Sequence, residues 1–349
     1  MIDNFNAANS DLQIRMETLP YEEYDTKVLA AVSAGAAPDF GWAAPAGGLE
    51  ADWIAKGVIV PLDDLVTAVG LDLNDFTDAA LKVARYPTFG NKLYEIPMDV
   101  MTMAVEINVD HVKEAGLDIN NPPKTGDELI EWAKAMTKYE GGKVVRSGFL
   151  MGPSIQNCVT WGIVSAQMGF QRASDDLKVA CVNPEAGKKA MQWVLDLFDK
   201  HKVSTREVTD RYKAFGTGEG SMFLTGPWTI SGYMKQGLNF ISIHVPKIGE
   251  EQKTYLEVGT LEVYKQKDAS RNEAAVRAIK WLSDNSLLWT TKGRGAAVRK
   301  SILALPAYKT EGLPWEMRGA FVDDKALAMA TVPIGLQVVK GADDFVIYS

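Results

Sequence analysis

Short runs in which every second residue is apolar alternate along the chain with longer runs whose apolar positions recur every three or four residues. The first spacing predicts strands and the second predicts helices. In LQIRMETL, Leu12, Ile14 and Met16 alternate with Gln13, Arg15 and Glu17, which predicts a strand with one wetter face. YEEYDTKVLAAVSAG follows with Tyr24, Val28 and Ala31 at helical spacing, and Gly35 is placed to end that helix as its C′ residue. APDFGWA then reads as a short strand entering a loop of small residues. A strand–helix–strand order of this kind predicts a parallel pair.

The same two patterns continue. GNKLYEIPMDVMTMAVEINVDHV reads as a turn, a short strand, a loop and a second strand, in which Val105, Ile107 and Val109 alternate with Glu106 and Asn108. KTGDELIEWAKAMTK carries a capping box, Thr125 with Glu128, and Leu129, Trp132 and Met136 line one face of its helix. NPEAGKKAMQWVLDLFDK has Asn183 as N-cap and Pro184 at the first helical position, with a stripe of Ala190, Val194, Leu197 and Phe198. FISIHVPKIG alternates again, and NEAAVRAIKWLSD is amphipathic through Ala275, Ile279 and Leu282. Helices and strands interleave throughout, which predicts an α/β fold.

One junction stands apart. In SMFLTGPWTISGY, Ser221–Leu224 is a short apolar strand, Gly226 and Pro227 turn the chain, and Trp228 opens a helix through Tyr233 that Gly237 ends. Ligands of open α/β sheets bind beyond the carboxyl ends of strands, where helix N–H groups also point. An indole there offers a flat apolar face beside hydrogen-bond donors, a pairing that suits the C–H face and hydroxyls of a pyranose. The alternative is that Trp228 plugs the gap between strand and helix.

Composition narrows the classes. The 349 residues suffice for two domains, and 46% hydrophobic with 23% charged residues is a globular balance. A net charge of −8 argues against nucleic acid as a partner. No apolar run reaches the ~18 residues of a membrane span, and the start MIDNFNAANSD has no secretory-leader pattern. Cys158 and Cys181 read as two buried free thiols, with one disulfide as the alternative. His111, His201 and His244 share no metal-ligand spacing, and neither a Gly-x-Ser-x-Gly elbow nor a complete P-loop is present. GTGEG, before Ser221, reads as a flexible turn. No metal or organic cofactor is expected.

Five stretches in register resemble a known family. LTGPWTISGYMKQGLNFISIHVPKIG, AAVSAGAAPDFGWA, WIAKGVIVPLDDLV, GNKLYEIPMDVMTMAVEINVDHVKEAGLD and GRGAAVRKSILALPAY are similar to segments of extracytoplasmic solute-binding proteins of ABC importers, in the sugar-binding, maltose-binding-protein-like branch. The resemblance implies a two-lobed type II periplasmic-binding-protein-like fold with a ligand cleft between the lobes. It implies hinge closure on a small carbohydrate or polyol, delivery to an ABC permease, no catalysis, a monomer, and a periplasmic or extracellular membrane-associated setting. It places residues 1–109 and 258–309 in one lobe, and 110–257 and 310–344 in the other. A glycan-active enzyme, and an engineered scaffold or sensor derived from such a receptor, stay open as alternatives.

Residue by residue, the resemblance implies that Trp228 is the stacking tryptophan on a turn shaped by Gly226 and Pro227. Trp42 lies at a strand end where family members place ligand contacts, although WAAPAGG lacks the Asp, Ser or His often found there. Asp99 matches a cleft-facing loop, with turn capping as its other role. Gln156 and Asn157 fall in the loop before Trp161, and Trp161 is either a ligand contact or core. Gly259 and Thr260 lie at a hinge crossing where bare backbone can approach a ligand. Arg299 matches a frequent arginine that binds ligand or an acidic neighbour, and Arg294 is a secondary candidate. The family's first strand has no counterpart before FNAAN, so Phe345–Tyr348 is expected to fill its place, in a chain circularly permuted or truncated relative to the family.

Overall fold

The computed structural model describes residues 1–19, 23–43, 50–152, 154–173 and 180–333, with 154–158, 172, 173, 180 and 331–333 described by their backbone alone. The proposed strand Phe345–Tyr348 lies outside the described residues. The chain forms two compact units. The first holds Met1–Val100 and Val258–Glu311; the second holds Met101–Glu257 and the segment from Gly312.

The first unit is built on a mixed sheet in the order Phe40–Ala43, Thr254–Val263, Glu95–Thr102, Ala296–Ala297, of which it holds the second strand from Val258 and the third up to Val100. Phe40–Ala43 runs antiparallel to its neighbour, with Trp42 opposite Leu261 and Ala43 opposite Thr260, and Ala297 stands opposite Asp99. Val28, Trp53, Ile54, Ile59, Tyr86, Tyr94 and Tyr264 form its buried aromatic-rich cluster. The opening helix Ile2–Ala8 buries Phe5 edge-on against Trp281 at 5.4 Å.

The segment Leu12–Leu19 forms no strand, so the parallel pair expected there does not exist. The reason is local. The Asn6 side-chain amide donates to the Ile14 carbonyl at 3.0 Å, and its oxygen accepts from the Ile14 N–H at 2.8 Å. Those are the two bonds a neighbouring strand would supply, and Met16 is left 68% exposed.

The second unit carries a five-stranded sheet in the order Phe240–His244, Ala104–Asn108, Gly220–Thr225, Lys143–Phe149, Lys138–Glu140. Ala104–Asn108 is antiparallel to both of its neighbours, whereas Gly220–Thr225 and Lys143–Phe149 are parallel. One face, through Val105, Ile107, Met222, Leu224 and Ile243, joins the main hydrophobic core with Leu129, Ile163, Val194 and Leu197. The other face holds Glu106 between Phe223 and Ser242. The alternation in AVEIN therefore separates two buried faces, since Glu106 and Asn108 are buried as fully as Val105 and Ile107.

Helix signals are realised where their chemistry is complete. Thr125 and Glu128 form the reciprocal capping box of Gly126–Met136. Pro184 opens the helix Pro184–Asp199, but Asn183 is left-handed at φ 54° and makes no side-chain cap bond. Gly35 follows the helix Tyr24–Ser33 at φ +70°. Cys181 is free and exposed rather than buried, on a short hairpin strand Ala180–Val182 where no core covers it.

Candidate functional site

In the second unit, Gly220–Thr225 is buried along its whole length and delivers the chain to Gly226. Pro227 starts a single 3-10 turn, Pro227–Thr229, which runs into the helix Ile230–Lys235, and Gly237 follows at φ +74°. The junction read from the sequence is therefore present, with short helical turns after it. Trp228 is half-buried: one part of its indole packs on the unit's core, and its Nε1 donates to the Tyr212 hydroxyl at 3.3 Å.

Buried ionisable groups contact Tyr212 and Thr229, the neighbours of Trp228. The Arg211 guanidinium sits 4.8 Å over the Tyr212 ring and donates to the Leu224 carbonyl at 2.7 Å and to the Tyr212 hydroxyl at 3.0 Å. Glu106 Oε1 accepts from the Thr229 hydroxyl at 2.7 Å, and Oε2 is buried without a partner. Burial pushes the Glu106 carboxyl up to about 8, against the opposing pull of Thr229 and Arg211. Desolvation favours the neutral acid here because among the described residues no cation forms an ion pair with it.

The first unit brings Trp42, Asp99 and Gly259 together, with Trp289 and Arg294 completing the cluster. The rings of Trp42 and Trp289 are 5.9 Å apart between centroids and tilted by 38°. Asp99 is not on a loop but inside the strand Glu95–Thr102, where it is fully buried. Its Oδ2 accepts from Trp289 Nε1 at 2.6 Å and from the Gly295 N–H at 3.3 Å, and Arg294 Nε stands 3.5 Å away. Burial raises the Asp99 carboxyl above the usual range and Arg294 opposes that rise. A Cβ on Gly259 would meet Asp99 Oδ1 at 2.4 Å and the Trp42 ring at 2.4 Å, so this glycine lets the two side chains close over the backbone.

Other residues singled out in the sequence have internal roles. Thr260 is fully buried and donates to Glu95 Oε2 at 2.6 Å, so its hydroxyl does not face a ligand. Arg299 binds Asp75 at 2.6 Å, Asp284 at 3.0 Å and the Ser283 hydroxyl at 3.1 Å, and its guanidinium lies 4.8 Å over Phe76. It is a strut with acidic neighbours, one of the two roles open to it. Trp161 donates to the Gly187 carbonyl at 2.9 Å and packs on Phe170 at 5.3 Å, which is the core role. Gln156 and Asn157 fall within the helix Ser154–Gln167 rather than in a loop, and their side chains lie outside the described residues.

A buried acidic cluster in the first unit had no reading from the sequence. Glu95 also accepts from the Tyr86 hydroxyl, and Glu262 accepts from Tyr264 at 2.5 Å. Burial raises both carboxyls, and Glu50 is pushed up to about 8 by burial first and by Glu95 second. Among the described residues no group of three His, Cys, Asp or Glu side chains is arranged to hold a metal ion. Trp289 and Glu106 carried detectable signals: a tryptophan just before the Gly293-Arg294-Gly295 turn, and one charge inside the apolar run MTMAVEINV. Tyr212 and Arg211 carried none, because only the fold brings them to Trp228.

Residues 1–331 match the bacterial extracellular solute-binding protein family, and the chain belongs to it. No curated protein matches the chain by sequence. Solved structures share the fold. An ABC substrate-binding protein of Listeria monocytogenes, in complex with cycloalternan, superposes with a TM-score of 0.81 at 18% identity, covering 98% of this chain and 86% of that one. The maltose-bound MalE3 of T. maritima gives 0.79 at 18% identity, with 98% and 86% covered. The GacH receptor of Streptomyces glaucescens, solved unliganded and with acarbose, gives 0.78 at 21% identity, with 98% and 84% covered. The fold expectation is thus met by two-lobed solute-binding proteins. Among the described residues no helix is long and apolar enough to cross a membrane.

Proposed function

We propose that this chain captures a small carbohydrate or sugar-like polyol and delivers it to an ABC permease by hinge closure, acting outside the cytoplasmic membrane as a binder and not as a catalyst. The observation that carries this reading is Trp228: a half-buried indole at a strand end, pinned through Nε1 to Tyr212. Stacking on the C–H face of a sugar needs a ring of that kind, fixed before the ligand arrives. Membership in the extracellular solute-binding family supports capture and delivery as the activity. The saccharide-bound relatives support carbohydrate as the class of solute. Trp42 is the first unit's candidate contributor and the fully buried Asp99 supports it from behind through Trp289, while Gly226 and Gly259 serve by making room for the tryptophans.

A thermal-shift screen across neutral and acidic mono- and oligosaccharides and polyols tests the reading, because a solute that binds only the folded chain raises its melting temperature. A saccharide that does so without being turned over is the expected result. A screen in which no saccharide shifts the transition, or in which product accumulates, overturns it.

A further inference from the structure

The tryptophan pair of the first unit is capped by a cation. The Arg294 guanidinium carbon lies 4.9 Å from the Trp42 ring centroid and 4.8 Å from that of Trp289. With the two rings 5.9 Å apart, much less than the sum of those two distances, the guanidinium lies over both rings rather than between them. Stacking uses the π face of a guanidinium and leaves its N–H donors, which lie in the plane, pointing outward from its edge.

Among the described residues those edge donors are not taken up. Arg294 Nε is buried without a hydrogen-bond partner, and its nearest carboxylate oxygen, Asp99 Oδ2, is at 3.5 Å and already engaged by Trp289 and Gly295. Beyond that long contact with Asp99, Arg294 has no polar side-chain partner among the described residues, and 30% of its side chain remains exposed. The other arginines near the candidate residues are committed: Arg299 to Asp75, Asp284 and Ser283, and Arg211 to Leu224 and Tyr212. A planar cation fixed by two rings, with its donor edge free and partly in solvent, is preorganised for two parallel bonds to an oxyanion.

We propose that Arg294 makes this receptor selective for carbohydrates bearing an anionic oxygen group, a carboxylate or a phosphate, which the guanidinium edge binds while Trp42 and Trp289 hold it in place. The proposal rests on the carbohydrate reading above and adds the charge of the solute. Asp99 does not compete with the incoming anion for the outer edge, because it lies on the Nε side and is itself fully buried.

The test is calorimetry on the full chain with glucuronate, glucose 6-phosphate, glucose, maltose and inorganic phosphate. The expected result is that one of the two acidic sugars binds at least tenfold more tightly than glucose, with a preference that falls as salt is raised. Which of the two does so identifies the anionic group. Arg294→Gln is expected to remove the preference, so that acidic and neutral sugars bind alike. Arg294→Lys, which keeps the charge but not the planar fork, is expected to fall between the two. Neutral sugars bound as tightly as acidic ones, or a preference that survives Arg294→Gln, overturns this proposal and leaves the carbohydrate reading standing. Inorganic phosphate bound as tightly as glucose 6-phosphate also overturns it, since the sugar would then contribute nothing. Failure of every saccharide, neutral or acidic, overturns both.

Discussion

The Trp228 indole lies against the backbone of Gly226: a Cβ on that glycine would fall 2.0 Å from the ring's Cζ3 and 2.2 Å from its Cη2. Gly226 has φ −103° and ψ 175°, a conformation any residue adopts. It is the approach of the ring, not the backbone angle, that requires glycine. Gly226 and Tyr212 together fix where the indole stands before a solute arrives.

Removing the ring and displacing it should therefore have the same effect on binding. Trp228→Ala is expected to weaken affinity for the saccharide selected by thermal shift by about 2 kcal/mol or more, the scale of a buried aromatic anchor. Gly226→Ala, which leaves the indole intact but forces it off its seat, is expected to lose a similar amount. Calorimetry on both variants is the check, and unchanged affinity in either removes Trp228 as the platform.

Gly259 holds the corresponding position in the first unit. An added methyl there meets both Asp99 Oδ1 and the Trp42 ring well inside contact distance. Both neighbours are constrained, Asp99 by its bonds to Trp289 and Gly295, and Trp42 by its packing with Trp289. Gly259→Ala is thus expected to cost about 1–3 kcal/mol of stability, the usual range for overpacking. Chemical denaturation measures the loss, and a change in tryptophan fluorescence should accompany it. A variant as stable as the parent, with unchanged emission, would mean that the cluster yields easily.

The sequence makes the fold legible where a signal is local and complete. Thr125 and Glu128 specify their own helix start, and Gly-Pro-Trp specifies a turn between a buried strand and short helices. Leu12–Leu19 misleads because alternation reports which faces are apolar and says nothing about whether a partner strand exists; Asn6 takes the partner's place. The candidate site is legible in part. Trp228 and Trp42 are visible as tryptophans at junctions, but Arg299 and Arg294 look alike in GRGAAVRKS. What separates them is the position of Asp75 and Asp284, more than ten residues distant in sequence and brought close only by folding. The buried state of Glu106 is likewise invisible, since strand alternation cannot tell a solvated face from a second buried one.

Glu106 gives stability a dependence on pH. Burial pushes its carboxyl up to about 8 from an ordinary 4.5. A folded-state value above the unfolded one means that the folded chain holds its proton longer. The associated stability is complete below the unfolded value and is lost as pH rises through the folded value. Glu106→Gln keeps an oxygen for the Thr229 hydroxyl and removes the ionisable proton. The parent's melting temperature is expected to fall between about pH 5 and about pH 9, and the Gln variant's to fall less over the same span. Parallel curves would show that Glu106 titrates without strain.

Arg299 should separate stability from binding. Its side chain is 10% exposed and is shared between Asp75 and Asp284, with Ser283 taking a third bond. Asp75 in turn accepts from the Ser301 N–H and hydroxyl, so the arginine closes a network that joins three segments of the first unit. Taking the cation away leaves the largely buried Asp75 without its ion pair, while Asp284, which is 35% exposed, keeps Lys280; breaking an enclosed ion pair costs about 3 kcal/mol and a half-open one less. Arg299→Ala is expected to lower the urea midpoint by a corresponding amount, and saccharide affinity measured well below that midpoint is expected to stay within twofold of the parent. The resemblance that first marked Arg299 allowed it to contact ligand. A variant that folds as firmly as the parent yet binds far more weakly would restore that role, because no strut can be removed without loss of stability.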